Sequence, residues 1–174
     1  RDVDYSDAQD RARLGRWYND PEIKHLYSLF TNEDGFGVSF TSEYFERVGR
    51  NPPTQGPHRT LMILVDGVAV GEAKFETDTP KLLTKAPHTA WLALVIGEAE
   101  WRGRGLGGLV VQHLENLARE TGAQRVEVGI FEYNGPSVRF FQRRGYVEFA
   151  RQSNLVWWNG KMWANVRLRK TLSP

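Results

Sequence analysis

Residues 98–110, EAEWRGRGLGGLV, lie between an apolar run and a segment with helical spacing. Within it, positions 102–108 hold four glycines and two arginines. Glycines at a helix start cost stability unless something uses them, and they let the backbone approach a ligand closely. The first amides of a helix lack partners within the helix, and with the helix dipole they attract anions. The stretch therefore predicts a loop that holds a pyrophosphate, with Arg102 and Arg104 adding charge-assisted hydrogen bonds.

Two phosphate-binding patterns fit this loop. Residues 103–108 satisfy G-x-G-x-x-G, the dinucleotide fingerprint, and Glu132 supplies an acidic residue near the end of the next strand. In a dinucleotide-binding unit, however, the first glycine follows the strand almost directly. Here residues 97–102 intervene, and only residues 109–174 remain for the further strand–helix units that such a domain needs. The second pattern, Gln/Arg-x-x-Gly-x-Gly/Ala, covers residues 102–107 and is favoured.

The rest of the chain bounds the class of protein. A chain of 174 residues with 40% hydrophobic and 25% charged residues predicts one globular domain, residues 1–174. A formal net charge of +2 is too small to argue for nucleic acid. The absence of cysteine excludes disulfides, thiolate–zinc sites and a cysteine nucleophile. No metal site is predicted, because the four histidines lack metal-ligand spacing: His25, His58, His88 and His113.

No membrane partner is expected either. The longest apolar run, residues 90–96, is far shorter than the roughly 20 residues that span a bilayer. No segment resembles a signal peptide, so a cytoplasmic location is expected.

Periodicity and turn signals predict an α/β or α+β domain with a mixed sheet and helices on both sides. Helices are expected after a capping box at 6–9, after Asp20, and over 42–48, 104–121 and 134–144. A loop is expected at 51–57. Strands are expected over 60–65, 68–76, 90–96, 125–131, 146–151, 155–158 and 161–168. Continuous apolar character in 90–96 indicates a central strand buried on both faces.

The loop pattern is the coenzyme A signature of the GNAT acyltransferase superfamily, and the sequence resembles that family over most of its length. Residues 134–137, Asn-Gly-Pro-Ser, followed by Gly145-Tyr146, resemble the family's N-x-x-S/A…G-F/Y segment. The opening WYNDPEI (17–23) and the closing WNGKMW (158–163) are similar to a narrower branch. That branch contains the ribosomal-protein alanine N-acetyltransferases and the spermidine acetyltransferases.

The resemblance implies a GNAT-like mixed, mostly antiparallel sheet of about seven strands, with splayed central strands and helices on both sides. It implies acetyl-CoA as cofactor and direct transfer of acetyl to a primary amine, at a protein N-terminus or on a small molecule, without an acyl-enzyme. The implied cofactor contacts are Leu94, Val95, Ile96, Arg102, Gly103, Arg104, Gly105, Leu106, Gly107, Gly108, Asn134, Ser137 and Phe141. Beyond the amine substrate no partner is implied, and a homodimer is left open.

The implied catalytic groups depart from the family's pattern. Many relatives protonate the leaving thiolate with a tyrosine at the position of Phe141, which cannot donate; Ser137, one turn earlier, or water is expected to replace it. Some relatives carry a glutamate at the position of Gly129. Glu72, or a water chain, is the expected base, and the weaker candidates are Glu127, Glu132 and His88.

Other residues leave alternatives open. The tryptophans could line an acceptor pocket or fill the core: Trp17, Trp91, Trp101, Trp157, Trp158 and Trp163. Three arginines could reach a nucleotide phosphate: Arg139, Arg143 and Arg144. Because the acid and base positions depart from the family, a coenzyme-binding regulator or catalytically idle module is the alternative function. A nucleotide-dependent oxidoreductase is a further one.

Overall fold

The computed structural model describes residues 1–51 and 56–172, with only the backbone of residues 36 and 37. The predicted loop at 51–57 therefore lies partly outside the described residues. The helices are α1 (Ala8–Asn19), α2 (Pro21–Tyr27), a 3₁₀ helix (Glu33–Gly37), α3 (Ser42–Arg50), a 3₁₀ turn (Ala99–Trp101), α4 (Leu106–Glu120) and α5 (Gly135–Gln142). The strands are β1 (His58–Val65), β2 (Val68–Thr77), β3 (Thr89–Ile96), β4 (Arg125–Phe131), β5 (Val147–Trp158) and β6 (Lys161–Thr171).

Local signals set most helix boundaries. Asp20 caps α2 ahead of Pro21, and Gly122 adopts a left-handed conformation just past α4, as predicted. The predicted cap of α1 is wrong by one residue. Asp7, rather than Ser6, accepts the amide of Gln9, while the Ser6 hydroxyl donates to Asp4.

The six strands form one mixed sheet in the order β1-β2-β3-β4-β6-β5, in which only the β3–β4 pair is parallel. The predicted fold class is confirmed, but the predicted count of about seven strands is one too high. The sequence predicts two separate strands over 146–151 and 155–158. In the structure β5 runs through that region with a shift of register between Gln152 and Val156.

The sheet is covered on both faces. Val111, Leu114 and Ala118 of α4 pack on one face, against a cluster that includes Leu92 of β3. Leu14 and Trp17 of α1 pack on the other face, in a cluster that includes Val95 of β3. This double burial explains the continuously apolar sequence of β3 and confirms that prediction.

The two central strands, β3 and β4, are paired only near their first residues. β3 pairs with β4 only from Thr89 to Trp91. Beyond that point β3 stays on β2 as far as Ile96, and β4 stays on β6 as far as Phe131. The predicted splay of the central strands is therefore confirmed, and it opens a wedge between their carboxyl ends.

Candidate functional site

A cleft of about 1300 Å³ fills the wedge between β3 and β4. At one end it meets the glycine-rich loop and α5. At the other it meets residues of α2, β2 and β6. One continuous space thus connects the loop with the face of the sheet covered by α1 and α2.

The loop before α4 presents unused backbone donors. Gly103 and Gly105 have φ of +73° and +83°, a left-handed conformation that only glycine adopts readily. Gly105 is the residue before α4, and no side chain caps the helix there. The amides of residues 103–107 donate to no other residue in the described part of the chain. This is the arrangement that binds anions at a helix start.

The side chain of Arg102 ties the loop to the end of β3 through hydrogen bonds. Its Nε donates to the carbonyl of Ile96 at 3.0 Å, and its Nη2 donates to the carbonyl of Gly97 at 2.8 Å. Its Nη1 lies 3.0 Å from a carboxylate oxygen of Glu22 in α2. Arg104 is exposed and lies over the Trp101 ring at 5.5 Å. The guanidinium of Arg102 thus donates to groups of the protein, whereas the side chain of Arg104 is exposed to solvent.

The first turn of α5 forms the opposite wall. Asn134 caps the helix by accepting the amide of Ser137 at 3.3 Å. Ser137 and the buried Phe141 follow on the side of the helix that lines the cleft. A Cβ placed on Gly107 would lie 3.4 Å from Phe140, so the loop and α5 are close together.

Nine of the thirteen residues with implied cofactor contacts line the cleft: Leu94, Ile96, Arg102, Gly103, Gly105, Gly107, Asn134, Ser137 and Phe141. The other four do not line it: Val95, Arg104, Leu106 and Gly108. Two of the arginines suggested for a nucleotide phosphate, Arg143 and Arg144, also line it. Arg139 does not.

Glu72 belongs to a buried network at the other end of the cleft. It accepts a hydrogen bond from Tyr18 at 2.7 Å and another from Tyr27 at 3.3 Å. Lys74 lies 3.4 Å from Glu72 and donates to the Tyr18 oxygen at 2.7 Å. Tyr18, Tyr27 and Lys74 line the cleft, whereas Glu72 lies behind them.

Within this network the pKa values of Tyr18, Tyr27 and Lys74 are all raised. Burial, followed by the negative charge of Glu72, raises the pKa of both Tyr18 and Tyr27. Burial alone would lower the pKa of Lys74, but Glu72 and the tyrosine oxygens raise it overall. The tyrosines are therefore neutral and the lysine is charged at neutral pH.

The weaker base candidates have other partners or lie elsewhere. Glu127 is fully buried, accepts the amides of Leu83 and Thr84 at 3.1 and 3.2 Å, and pairs with Arg167 at 3.3 Å. Glu132 pairs with Arg151. His88 is exposed just before β3, outside the cleft lining.

The tryptophans divide between the two roles. Trp91 and Trp101 line the cleft. Trp17 is buried in the core and donates to Glu98 at 2.9 Å. The three tryptophans of the β5–β6 hairpin do not line the cleft, and one of them, Trp158, stacks on His25 with ring centroids 4.2 Å apart.

Sequence reasoning missed most of the acceptor end of the cleft. Tyr18, Tyr27, Lys74, Asn165 and Arg167 line it but were not singled out. A signal was available in β2, where Glu72, Lys74 and Glu76 alternate with apolar residues on a strand that has neighbours on both sides. Such alternation is ordinarily assigned to a solvated face, and only the covering helices make it a buried one.

Among the described residues, none of the helices combines the length and apolar character needed to cross a membrane.

Known proteins resemble this chain in sequence and in fold. The model of the acetyltransferase (GNAT) family matches residues 14–146. The uncharacterized N-acetyltransferase YdgE of Bacillus subtilis (strain 168) is 33% identical over 72 residues, which cover 41% of this chain and 36% of that protein. The chain spans less than two thirds of the length of the curated relatives it matches.

Solved structures of similar fold cover nearly the whole chain. Spermidine N-acetyltransferase from Vibrio cholerae, in complex with CoA and spermine, superimposes with a TM-score of 0.76 at 13% identity, covering 98% of this chain and 93% of that one. Ribosomal-protein-alanine N-acetyltransferase from Brucella melitensis gives a TM-score of 0.73 at 19% identity, covering 99% and 98%. Identities this low show a shared fold alone.

Proposed function

Because the chain belongs to the GNAT family of acetyltransferases, whose members use acetyl-CoA, we propose that it acetylates a primary amine directly, without an acyl-enzyme. The amine belongs to a small molecule or to a protein N-terminus. The observation that carries the proposal is the early end of β3–β4 pairing, which opens one continuous cleft from the unused loop amides to Tyr27 and Lys74 at its other end. A transferase that joins two substrates needs such a connected pair of sites.

The chain's own groups fit the coenzyme at the loop end. The amides of residues 103–107 have no other acceptor within the described residues, and Arg143 and Arg144 add positive charge to the same part of the cleft. Gly107 leaves the space beside Phe140 that a larger residue would fill. Acetyl-CoA, when bound, supplies the acetyl group as an activated thioester. Coenzyme contacts are proposed as well for Leu94, Val95, Ile96, Arg104, Leu106 and Gly108.

The free edge of β3 supplies electrostatic stabilisation. After Trp91 this edge has no partner strand on the β4 side. We propose that an amide of residues 94–96 donates to the oxygen that becomes negative as the amine attacks. A backbone donor held rigidly by pairing with β2 needs no reorganisation at that moment.

Ser137 is the proposed acid. It lines the cleft at the start of α5, and its hydroxyl donates to no group in the part of the chain that is described. Phe141 lies one turn farther along and has no proton to give. A hydroxyl so placed can protonate the leaving thiolate, with water as the alternative.

Glu72 is the proposed final proton acceptor. Because it lies behind the cleft lining, the proton reaches it through a hydroxyl that does line the cleft. Tyr27 and Tyr18 both donate to Glu72 and so can relay a proton from the amine. A water chain is the alternative route.

A second function, coenzyme binding without turnover, is favoured by one observation. The acidic side chains around the acceptor end are each already paired with a cation of this chain within 4.0 Å, so none of them is an unpaired base: Glu72 with Lys74, Glu76 with Lys81 and Glu127 with Arg167. Such a protein would bind coenzyme A and release no thiol.

One experiment separates these functions. The protein is incubated with acetyl-CoA and a panel of amino acids, polyamines, aminoglycosides and N-terminal peptides, and free thiol is recorded. Calorimetry with coenzyme A and with NAD(P) runs in parallel. We expect coenzyme A binding, no NAD(P) binding, and thiol release that depends on the amine. Tight coenzyme A binding without amine-dependent thiol would favour the regulator, and NAD(P) binding without coenzyme A binding would favour an oxidoreductase.

A further inference from the structure

Two buried polar atoms in one wall of the cleft lack hydrogen-bond partners among the residues that the structure describes. They are Oδ1 of Asn165 and Nε of Arg167, in residues that are 7% and 5% exposed. Both side chains come from β6, and both line the cleft. A buried polar atom without a partner is costly, so two of them at one place indicate a ligand.

The two side chains converge over Gly129 of β4. A Cβ at Gly129 would lie 2.8 Å from Asn165 Oδ1, 3.0 Å from Arg167 Nη1 and 2.8 Å from the Trp91 ring. The three groups therefore border one small space that the absent side chain of Gly129 leaves to them. We call Trp91, Asn165 and Arg167 the β6 wall.

Arg167 uses only part of its guanidinium within the protein. Its Nη2 donates to the carbonyl of Lys81 and to Glu127, and its plane lies 4.6 Å over the Trp91 ring. Burial lowers the pKa of Arg167 despite the opposing effect of Glu127, as expected for a cation that its partner compensates incompletely. Nε and Nη1 donate to no other group in the described part of the chain.

The charges around the wall argue against a polycationic acceptor. The nearby carboxylates of Glu72, Glu76 and Glu127 are already paired with cations of this chain. Glu72 Oε1 and Glu76 Oε2 also lack hydrogen bonds, but neither residue lines the cleft. At this end of the cleft, the guanidinium of Arg167 is a charged lining group with donors that no described residue uses.

We propose that the β6 wall binds a carboxylate of the acceptor, so that the acceptor is a small amine that also carries a carboxylate, as an amino acid does. Arg167 donates to the carboxylate through Nη1, while Asn165 Oδ1 accepts from the ammonium or another donor of the same molecule. The inference rests on the proposed acetyltransfer and narrows its substrate class.

The test compares acceptors that differ only in the carboxylate. Thiol release is measured with standard L-amino acids, with their carboxamides, with polyamines and with N-terminal peptides. For the best amino acid we expect kcat/KM to exceed that of its carboxamide by about 10- to 100-fold, as a charge-assisted hydrogen bond would give. Equal rates for acid and carboxamide, or a preference for polyamines or peptides, would overturn the inference.

Two variants connect the preference to the wall. Asn165→Asp places a carboxylate of the protein beside the free donors of Arg167 and leaves the pair of Arg167 with Glu127 in place. Because this carboxylate competes with that of the acceptor, the preference for the acid over the carboxamide should disappear. Arg167→Gln combined with Glu127→Gln removes the anchor without leaving a buried unpaired charge. Arg169→Gln is the matched control: Arg169 lies two residues along β6 and does not line the cleft. Persistence of the preference in both wall variants would contradict the assignment.

A binding measurement keeps this inference distinct from the proposed function. Calorimetry follows the binding of the amino acids and their carboxamides to the protein saturated with coenzyme A. Binding of the acid to wild type, and its loss in Asn165→Asp, would support the β6 wall even if no amine were acetylated. Failure of every amino acid to bind would overturn the wall assignment, whatever the protein acetylates.

Discussion

The guanidinium of Arg102 donates to the carbonyl oxygen of Ile96 at 3.0 Å and so ties the glycine-rich loop to the end of β3. An arginine of the loop pattern thus fixes the shape of the loop, while the amides of residues 103–107 donate to no other described residue. Arg102 is thereby distinguished from Arg104, whose side chain is exposed.

The two arginines should respond differently to removal. Arg102→Ala deletes the bonds to Ile96 and Gly97, so the loop loses its fixed shape. We expect coenzyme A affinity to fall about tenfold or more, the equivalent of one or two charge-assisted hydrogen bonds. Arg104→Ala, the matched control, should change affinity less than Arg102→Ala, as measured by calorimetry. A larger loss in Arg104→Ala would reverse these roles.

Gly105 and Gly122 form a matched pair at the two ends of α4. Their φ angles are +83° and +81°, and a Cβ on either would meet no atom within 4 Å. Gly105→Ala and Gly122→Ala should therefore both lower the free energy of unfolding by about 1–2 kcal/mol. Only Gly105→Ala should weaken coenzyme A binding, measured by calorimetry alongside denaturant unfolding. Equal affinities in the two variants would remove the loop from the coenzyme site.

Ser137 and Phe141 lie one turn apart on α5, so the proposed acid can be tested by moving its hydroxyl from one position to the other. Ser137→Ala should lower kcat by about 100-fold with little change in KM, in the range of general acid catalysis. Adding Phe141→Tyr to that variant should restore part of the rate, because the new hydroxyl lies on the same cleft-lining side of α5. Steady-state kinetics with saturating acetyl-CoA measure both effects. Wild-type kcat in Ser137→Ala would indicate that water protonates the thiolate.

The network of Tyr18, Tyr27 and Lys74 predicts a loss of stability in alkali. All three have a folded-state pKa above the ordinary value, which is 10.0 for the tyrosines and 10.5 for the lysine. Their contribution is therefore fully present below about pH 10 and is lost as pH rises through the folded-state values. Unfolding free energies from pH 8 to 11 should be level and then fall, and they should fall less steeply in Tyr27→Phe. The same slope in both proteins would remove Tyr27 from the network.

The sequence predicted those features that depend on neighbours along the chain. Asp20 and Gly122 act at helix ends through contacts within a few residues, and the burial of β3 on both faces is visible in its apolar run. The β6 wall was not predictable in this way. Asn165 and Arg167 meet Trp91 and Gly129 only because of the sheet register and the early end of β3–β4 pairing.

The same limit explains the roles assigned to charged residues. Glu72, or a water chain, is the base that the sequence suggests, but the partners of Glu72, Tyr18 and Tyr27, come from helices more than forty residues earlier in the chain. The motif assigns Arg102 to the ligand through charge-assisted hydrogen bonds, and its bonds to the carbonyls of Ile96 and Gly97 form only when the chain folds back. Motif spacing predicts which backbone amides are available to an anion, whereas side-chain partners depend on tertiary contacts.

Direct acetyl transfer is tested most directly by following a labelled acetyl group. The protein is mixed with isotopically labelled acetyl-CoA and an amino acid acceptor, and mass spectrometry records the label on the amine and on the protein, while free thiol is counted. The proposed function predicts one labelled amine for each thiol released and no label on the protein. Thiol release that does not depend on the amine, label retained on the protein, or no labelled amine at saturating coenzyme would contradict it.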